Sequence, residues 1–107
     1  MKLENYISQI EFEEIYVCEE LGTTTLYFIA PKEMLDGRYP GATSMEISVE
    51  FPTACPEARH ASCECSPTRY EKKSGCYTDY DWFDVDMSYE DIEKMFDIYR
   101  KSIEIGE

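Results

Sequence analysis

Four aspartates, Asp79, Asp81, Asp84 and Asp86, alternate with aromatic and apolar residues just before the chain's last periodic segment. With Glu90, Asp91, Glu93 and Asp97 they make eight acids in residues 79–97 against one base, Lys94. This stretch therefore carries −7 of a formal net charge of −13. Acids set among apolar residues belong to a folded surface, which presents their charge in a fixed pattern. In an extended strand, residues two apart face the same way at roughly 6.5–7 Å. Asp79 with Asp81, and Asp84 with Asp86, are such pairs, and neighbouring phosphates of one nucleic-acid strand lie at about that spacing. A face of this kind offers the lysines and arginines of a nucleic-acid-binding protein what its true ligand offers. Glu46, Glu50 and Glu64 fall on outward positions of alternating segments and extend the candidate surface. Tyr77, Tyr80, Trp82 and Tyr89 lie among the acids. Tyr and Trp are frequent interface anchors, although core packing is the favoured reading of Trp82, since large aromatics mostly stabilise cores.

A second group is Cys55, His60, Cys63, Cys65 and Cys76, five ligand-type residues within 22 positions. Zinc takes about four such ligands in a tetrahedron. The spacing C-x4-H-x2-C-x-C-x10-C lacks the paired C-x2-4-C knuckles of common structural sites. Cys63 and Cys65 share a strand face with Ala61, as in a row of small core residues, a use to which free cysteine is well suited. Zinc held by these five residues is thus the alternative, and the favoured reading has no cofactor.

Catalysis is not expected. His60 is the sole histidine, and nothing around the cysteines supplies the context of a cysteine hydrolase. The aspartates lack the loop pattern of an EF-hand, with no glycine at the bend.

These residues need a scaffold, and the composition provides one. A chain of 107 residues with 43% hydrophobic content and fifteen aromatics predicts a single domain, 1–107, with a modest core. The excess of 23 acids over 10 bases repels phosphate backbones and anionic lipid. It attracts basic proteins, or serves solubility alone. No apolar run approaches the ~20 residues that span a bilayer. The charged start, Met-Lys-Leu-Glu-Asn-Tyr, has no apolar stretch after it, which predicts a cytoplasmic protein with reduced cysteines.

Periodicity predicts the elements. Leu3, Tyr6, Ile7 and Ile10 fit a short helix over 1–10. Residues 12–20 and 24–30 read as a hairpin of two strands, ended by Gly22 and Pro31. Residues 31–44 read as a loop with a helical turn near 32–35. In 45–51, Met45, Ile47, Val49 and Phe51 face one way and Glu46, Ser48 and Glu50 the other. Residues 60–66 alternate again and Pro67 closes them. A basic loop, 67–79, holds Arg69, Lys72 and Lys73, and 80–87 form a last short strand or an extended lead-in to the helix. Ser88 then caps an amphipathic helix over about 88–104, with Ile92, Met95, Phe96, Tyr99 and Ile103 as its apolar stripe. Lys101 and Arg100 fall near its negative end. The predicted class is α+β: a four- to five-stranded, mainly antiparallel sheet with the helix on one face.

In size, acidity, α+β outline and lack of catalytic motifs the chain resembles small inhibitors of phages and mobile elements, the anti-restriction and anti-CRISPR proteins that imitate nucleic acid. The acids of 79–97 and Glu11, Glu13, Glu14, Glu19 and Glu20 carry the likeness. It implies a non-enzymatic protein that blocks a basic, nucleic-acid-binding surface of a partner protein. Asp79, Asp81, Trp82, Asp84, Asp86, Glu90, Glu93, Glu46, Glu50 and Glu64 are the residues expected to meet that partner. A self-associating scaffold subunit, dimeric through a sheet edge or through Ile98 and Ile105 of the helix, is the other alternative.

Overall fold

Alternation and turn chemistry build one antiparallel sheet. The computed structural model describes residues 5–35, 37–79, 82–84 and 87–106, and of residues 77–79, 83–84 and 104–106 it describes the backbone alone. The strands are β1 (Glu11–Cys18), β2 (Thr23–Pro31), β3 (Ser44–Pro52), β4 (Ser62–Glu71), β5 (Cys76–Asp79) and β6 (Phe83–Asp84). They lie in the order β1-β2-β3-β4-β5, and β6 pairs with β4. One helix, α1 (Tyr89–Gly106), follows. Two hairpin turns use glycine at positive φ: Gly22 at +65° between β1 and β2, and Gly75 at +68° between β4 and β5. Such values cost L-residues strain that glycine avoids. Among the described residues no helix is long and apolar enough to cross a membrane.

The apolar half of each alternation faces α1. Leu26, Phe28 and Ala30 of β2, Met45, Ile47, Val49 and Phe51 of β3, and Cys63 and Cys65 of β4 are all buried. Ile92, Met95 and Phe96 of α1 close the core over them. Phe96 meets Phe51 edge-on with ring centroids 5.3 Å apart, and Phe12 sits between Phe28 and Tyr99 at 5.8 and 4.9 Å. Ser88 caps the helix: its Oγ accepts the Asp91 N–H at 3.2 Å.

The α+β class, the hairpin of β1 and β2, the alternation of β3 and the capped helix agree with expectation. Several boundaries differ. The expected N-terminal helix contracts to a 3-10 turn at Ile7–Gln9, and Leu3 lies outside the described residues. The 32–35 turn is a 3-10 turn, Lys32–Leu35, with Met34 and Leu35 buried. β4 begins at Ser62, because Ala58–His60 form another 3-10 turn. It also runs through Pro67 to Glu71, with Pro67 opposite Met45. Proline is tolerated where no ladder bond needs its missing N–H. On the other side of β4, the pairs described stop at Thr68 and resume at Cys65, so Pro67 falls between them. The basic segment 67–79 is therefore a β-hairpin. On α1, Ile98 packs against the core, whereas Ile103 is exposed. The helix outruns Arg100 and Lys101, and its last turn holds no base.

Candidate interaction surface on the open sheet face

The face of the sheet away from α1 gathers the glutamates. Across the strands, Tyr27 of β2 lies opposite Ser48 of β3, which lies opposite Glu64 of β4. Thr25, Glu50 and Ser62 form the next row. Ile29, Glu46 and Ser66 form the row on the other side. Glu46 and Glu50 are therefore diagonal neighbours of Tyr27, within reach of long side chains at roughly 7–8 Å.

A bulge in β1 completes the group. Phe12 pairs with Phe28 on the core face, but the register shifts before Glu14, which pairs with Tyr27. The extra residue, Glu13, reverses the facing of everything after it. Glu14 and Tyr16 turn to the open face, and Ile15 and Val17 turn toward the helix side. Glu14, Tyr16 and Tyr27 belong to the surface; the alternation of Ile15 and Val17 with Tyr16 and Cys18 holds, but none of the three was among the residues expected to meet a partner. The available signal was the pair Glu13–Glu14, two acids in succession in a strand whose Phe12, Ile15 and Val17 cannot all share one face at a period of two.

Trp82 stands on this same face and is exposed, not part of the core. Its ring meets Tyr27 edge-on, with centroids 6.4 Å apart and planes at 69°. The two rings separate two shallow concavities. One, of about 330 Å³, is bordered by Thr25, Ser48, Glu50, Ser62 and Glu64. The other, of about 370 Å³, is bordered by Glu14, Ile15, Tyr16 and Glu46. Partial burial raises the pKa of the Tyr27 phenol above its ordinary value, and the charges of Glu46, Glu14 and Glu50, with Tyr16, push it further up. A phenolate there would sit among carboxylates, which favours the neutral phenol. No lysine or arginine occupies an open-face position of β1 to β4.

The helix side differs. Glu90 and Glu93 are exposed on α1, which covers the opposite face, so they do not join Glu46, Glu50 and Glu64. Bases neutralise that side locally. Arg100 bridges Asp97 at 2.8 Å, Lys94 lies 3.8 Å from Asp91, and Arg59 bridges Glu57 at 2.6 Å. Glu93 borders a groove shared with Arg59 and Arg100. Asp81 and Asp86 lie outside the described residues. Asp79 and Asp84 are described only as backbone, Asp79 opposite Thr68 and Asp84 opposite Glu64.

The alternative zinc ligands are not assembled. Cys63 and Cys65 are buried on the core face, while Cys55, His60 and Cys76 are exposed. Cys76 pairs with Glu71 at the far end of β4 from Cys63. Strand geometry separates positions 63 and 71 by roughly 26 Å. Among the described residues no three His, Cys, Asp or Glu side chains are grouped to hold a metal ion. Comparisons of the chain with protein-family models, with curated proteins and with solved structures find no match.

Proposed function

We propose that this chain is a non-enzymatic binding protein whose open sheet face occludes a basic, nucleic-acid-binding surface of a partner protein. The observation that carries this reading is the gathering of Glu14, Glu46, Glu50 and Glu64 around the Tyr27–Trp82 pair. The glutamates supply attraction and register, and the two rings supply apolar area that a partner's arginine can stack on. The same charge keeps the chain itself off nucleic acid and anionic membranes. Inhibition then follows from occupancy alone, because the partner's cationic surface cannot hold this face and its own ligand together.

The test pairs a basic nucleic-acid-binding protein, recovered with the chain and purified, with a labelled oligonucleotide that it binds. The chain is expected to displace the oligonucleotide. Reversing Glu46, Glu50 and Glu64 to Lys is expected to abolish displacement, while reversing Glu90 and Glu93 leaves it within a fewfold. Displacement that survives the open-face reversals sinks the proposal.

A further inference from the structure

β1 is an edge strand, with β2 on one side and no strand on the other among the described residues. Such an edge presents unpaired N–H and C=O groups that template a further strand. Folded proteins usually blunt it, and here the bulge and the glutamates blunt the first half of β1, whereas apolar residues line the second half. Ile15 is 46% exposed, Tyr16 58% and Val17 50%, although Ile15 and Val17 are turned toward the helix side. α1 does not reach them; its aromatic contact with β1 is made at Phe12 by Tyr99. Acids flank the same edge at Glu11, Glu13, Glu14, Glu19 and Glu20.

We infer that the open edge of β1 receives an extended segment of the partner in which lysine or arginine alternates with apolar residues. Alternation follows from the pleat. Residues of an added strand on the helix side would cover Ile15 and Val17, and the residues between them would project over the open face. There they would meet Glu14 and the concavity that Glu46 and Trp82 border. Backbone pairing supplies affinity, and the alternate side chains supply specificity. Charge disfavours a second copy of this chain as the occupant. Pairing two β1 edges would gather Glu11, Glu13 and Glu14 of each copy in one ribbon that contains no base. The inference rests on the open-face reading only for the sign of the partner's charge.

The experiment measures binding of a labelled peptide matched to the eight residues of β1, alternating Val with Lys. A second peptide has the same composition with the alternation scrambled. The alternating peptide is expected to bind, with lysine-dependent loss in salt, and the scrambled one about tenfold or more weakly. Ile15→Lys with Val17→Lys changes only exposed side chains, and circular dichroism checks the fold. This variant is expected to lose the alternating peptide while still displacing oligonucleotide through Glu46, Glu50 and Glu64, more weakly because Ile15 borders one open-face concavity. Equal binding of both peptides overturns the inference, as does unchanged binding to the double variant. A concentration-dependent dimer by sedimentation that the double variant abolishes also overturns it, in favour of self-pairing. Failure of the open-face reading registers separately, as displacement insensitive to reversal of Glu46, Glu50 and Glu64.

Discussion

The five cysteines differ by burial, and their reactivity should follow. A hydrogen bond with Cys65, together with burial and the nearby charges of Cys65 and Glu64, pushes the Cys63 thiol far above the ordinary range. The thiolate is the reactive form. A thiol reagent at neutral pH is therefore expected to label Cys55 and Cys76 quickly, and Cys63 and Cys65 only after denaturation. Mass spectrometry of partially labelled protein checks this, and rapid native labelling of Cys63 contradicts it. The raised Cys63 value also bears on stability. Its contribution is complete below the ordinary thiol range and is lost as pH rises above that range, because the unfolded chain releases the proton first. Tyr27 follows the same sign in the alkaline range, since its pKa too is raised in the fold. Burial is the largest cause, so Glu46→Gln with Glu50→Gln is expected to lower the Tyr27 pKa only part of the way to the ordinary tyrosine value. Absorbance titration, taken as a difference against Tyr27→Phe, isolates this residue. An unchanged titration would show that the two glutamates do not act on the phenol.

Stability at the level of elements is concentrated in α1 and its seat. Met95 is fully buried beneath the helix, and Met95→Ala is expected to cost about 2–5 kcal/mol through lost transfer energy and the cavity left behind. Ser88→Ala, which removes the cap of the Asp91 N–H, is expected to cost about 1 kcal/mol. Asp97→Ala, on an exposed ion pair, should cost no more than about 0.5 kcal/mol. Denaturant titration of the three variants checks the ranking, and a larger loss at Asp97 than at Met95 would refute it. The elements whose own sequence decides their form were legible. β3 alternates without interruption and is bounded by proline, and α1 carries both its cap and its stripe. What neighbours decide was not legible. Pro67 reads as a strand terminator, yet β4 passes through it because of how β5 and β6 divide that side of the strand. At a period of two Glu14 would share a face with Phe12, and only the bulge at Glu13 turns it to the other. Glu46, Glu50 and Glu64 could be placed on one face from alternation alone. That Tyr27 and Trp82 stand among them depends on cross-strand register and on where the chain returns after β5.

Over the whole molecule, charge is distributed unevenly between two sides of a body 40 by 29 by 29 Å in extent. The helix side pairs its acids with Lys94, Arg100 and Arg59, and the open sheet face has no base on β1 to β4. The four strands from β1 to β4 span roughly 15 Å at the usual inter-strand spacing. The Debye length is about 30 Å at 0.01 M salt and about 8 Å at 0.15 M. At low salt the glutamates of the open face therefore steer an approaching cationic surface together, and at physiological salt only near neighbours act in concert. Long-range steering enters the association rate, whereas desolvated contacts such as a cation over Trp82 enter the dissociation rate. The association rate with a basic partner is therefore expected to fall about tenfold or more between these two salt concentrations, with dissociation changing far less. Glu50→Lys with Glu64→Lys should flatten that salt dependence, and Trp82→Ala should leave it intact while speeding dissociation. Stopped-flow mixing across a salt series separates the two rates. If salt acts on dissociation alone, the open face holds its partner by contact and does not steer it.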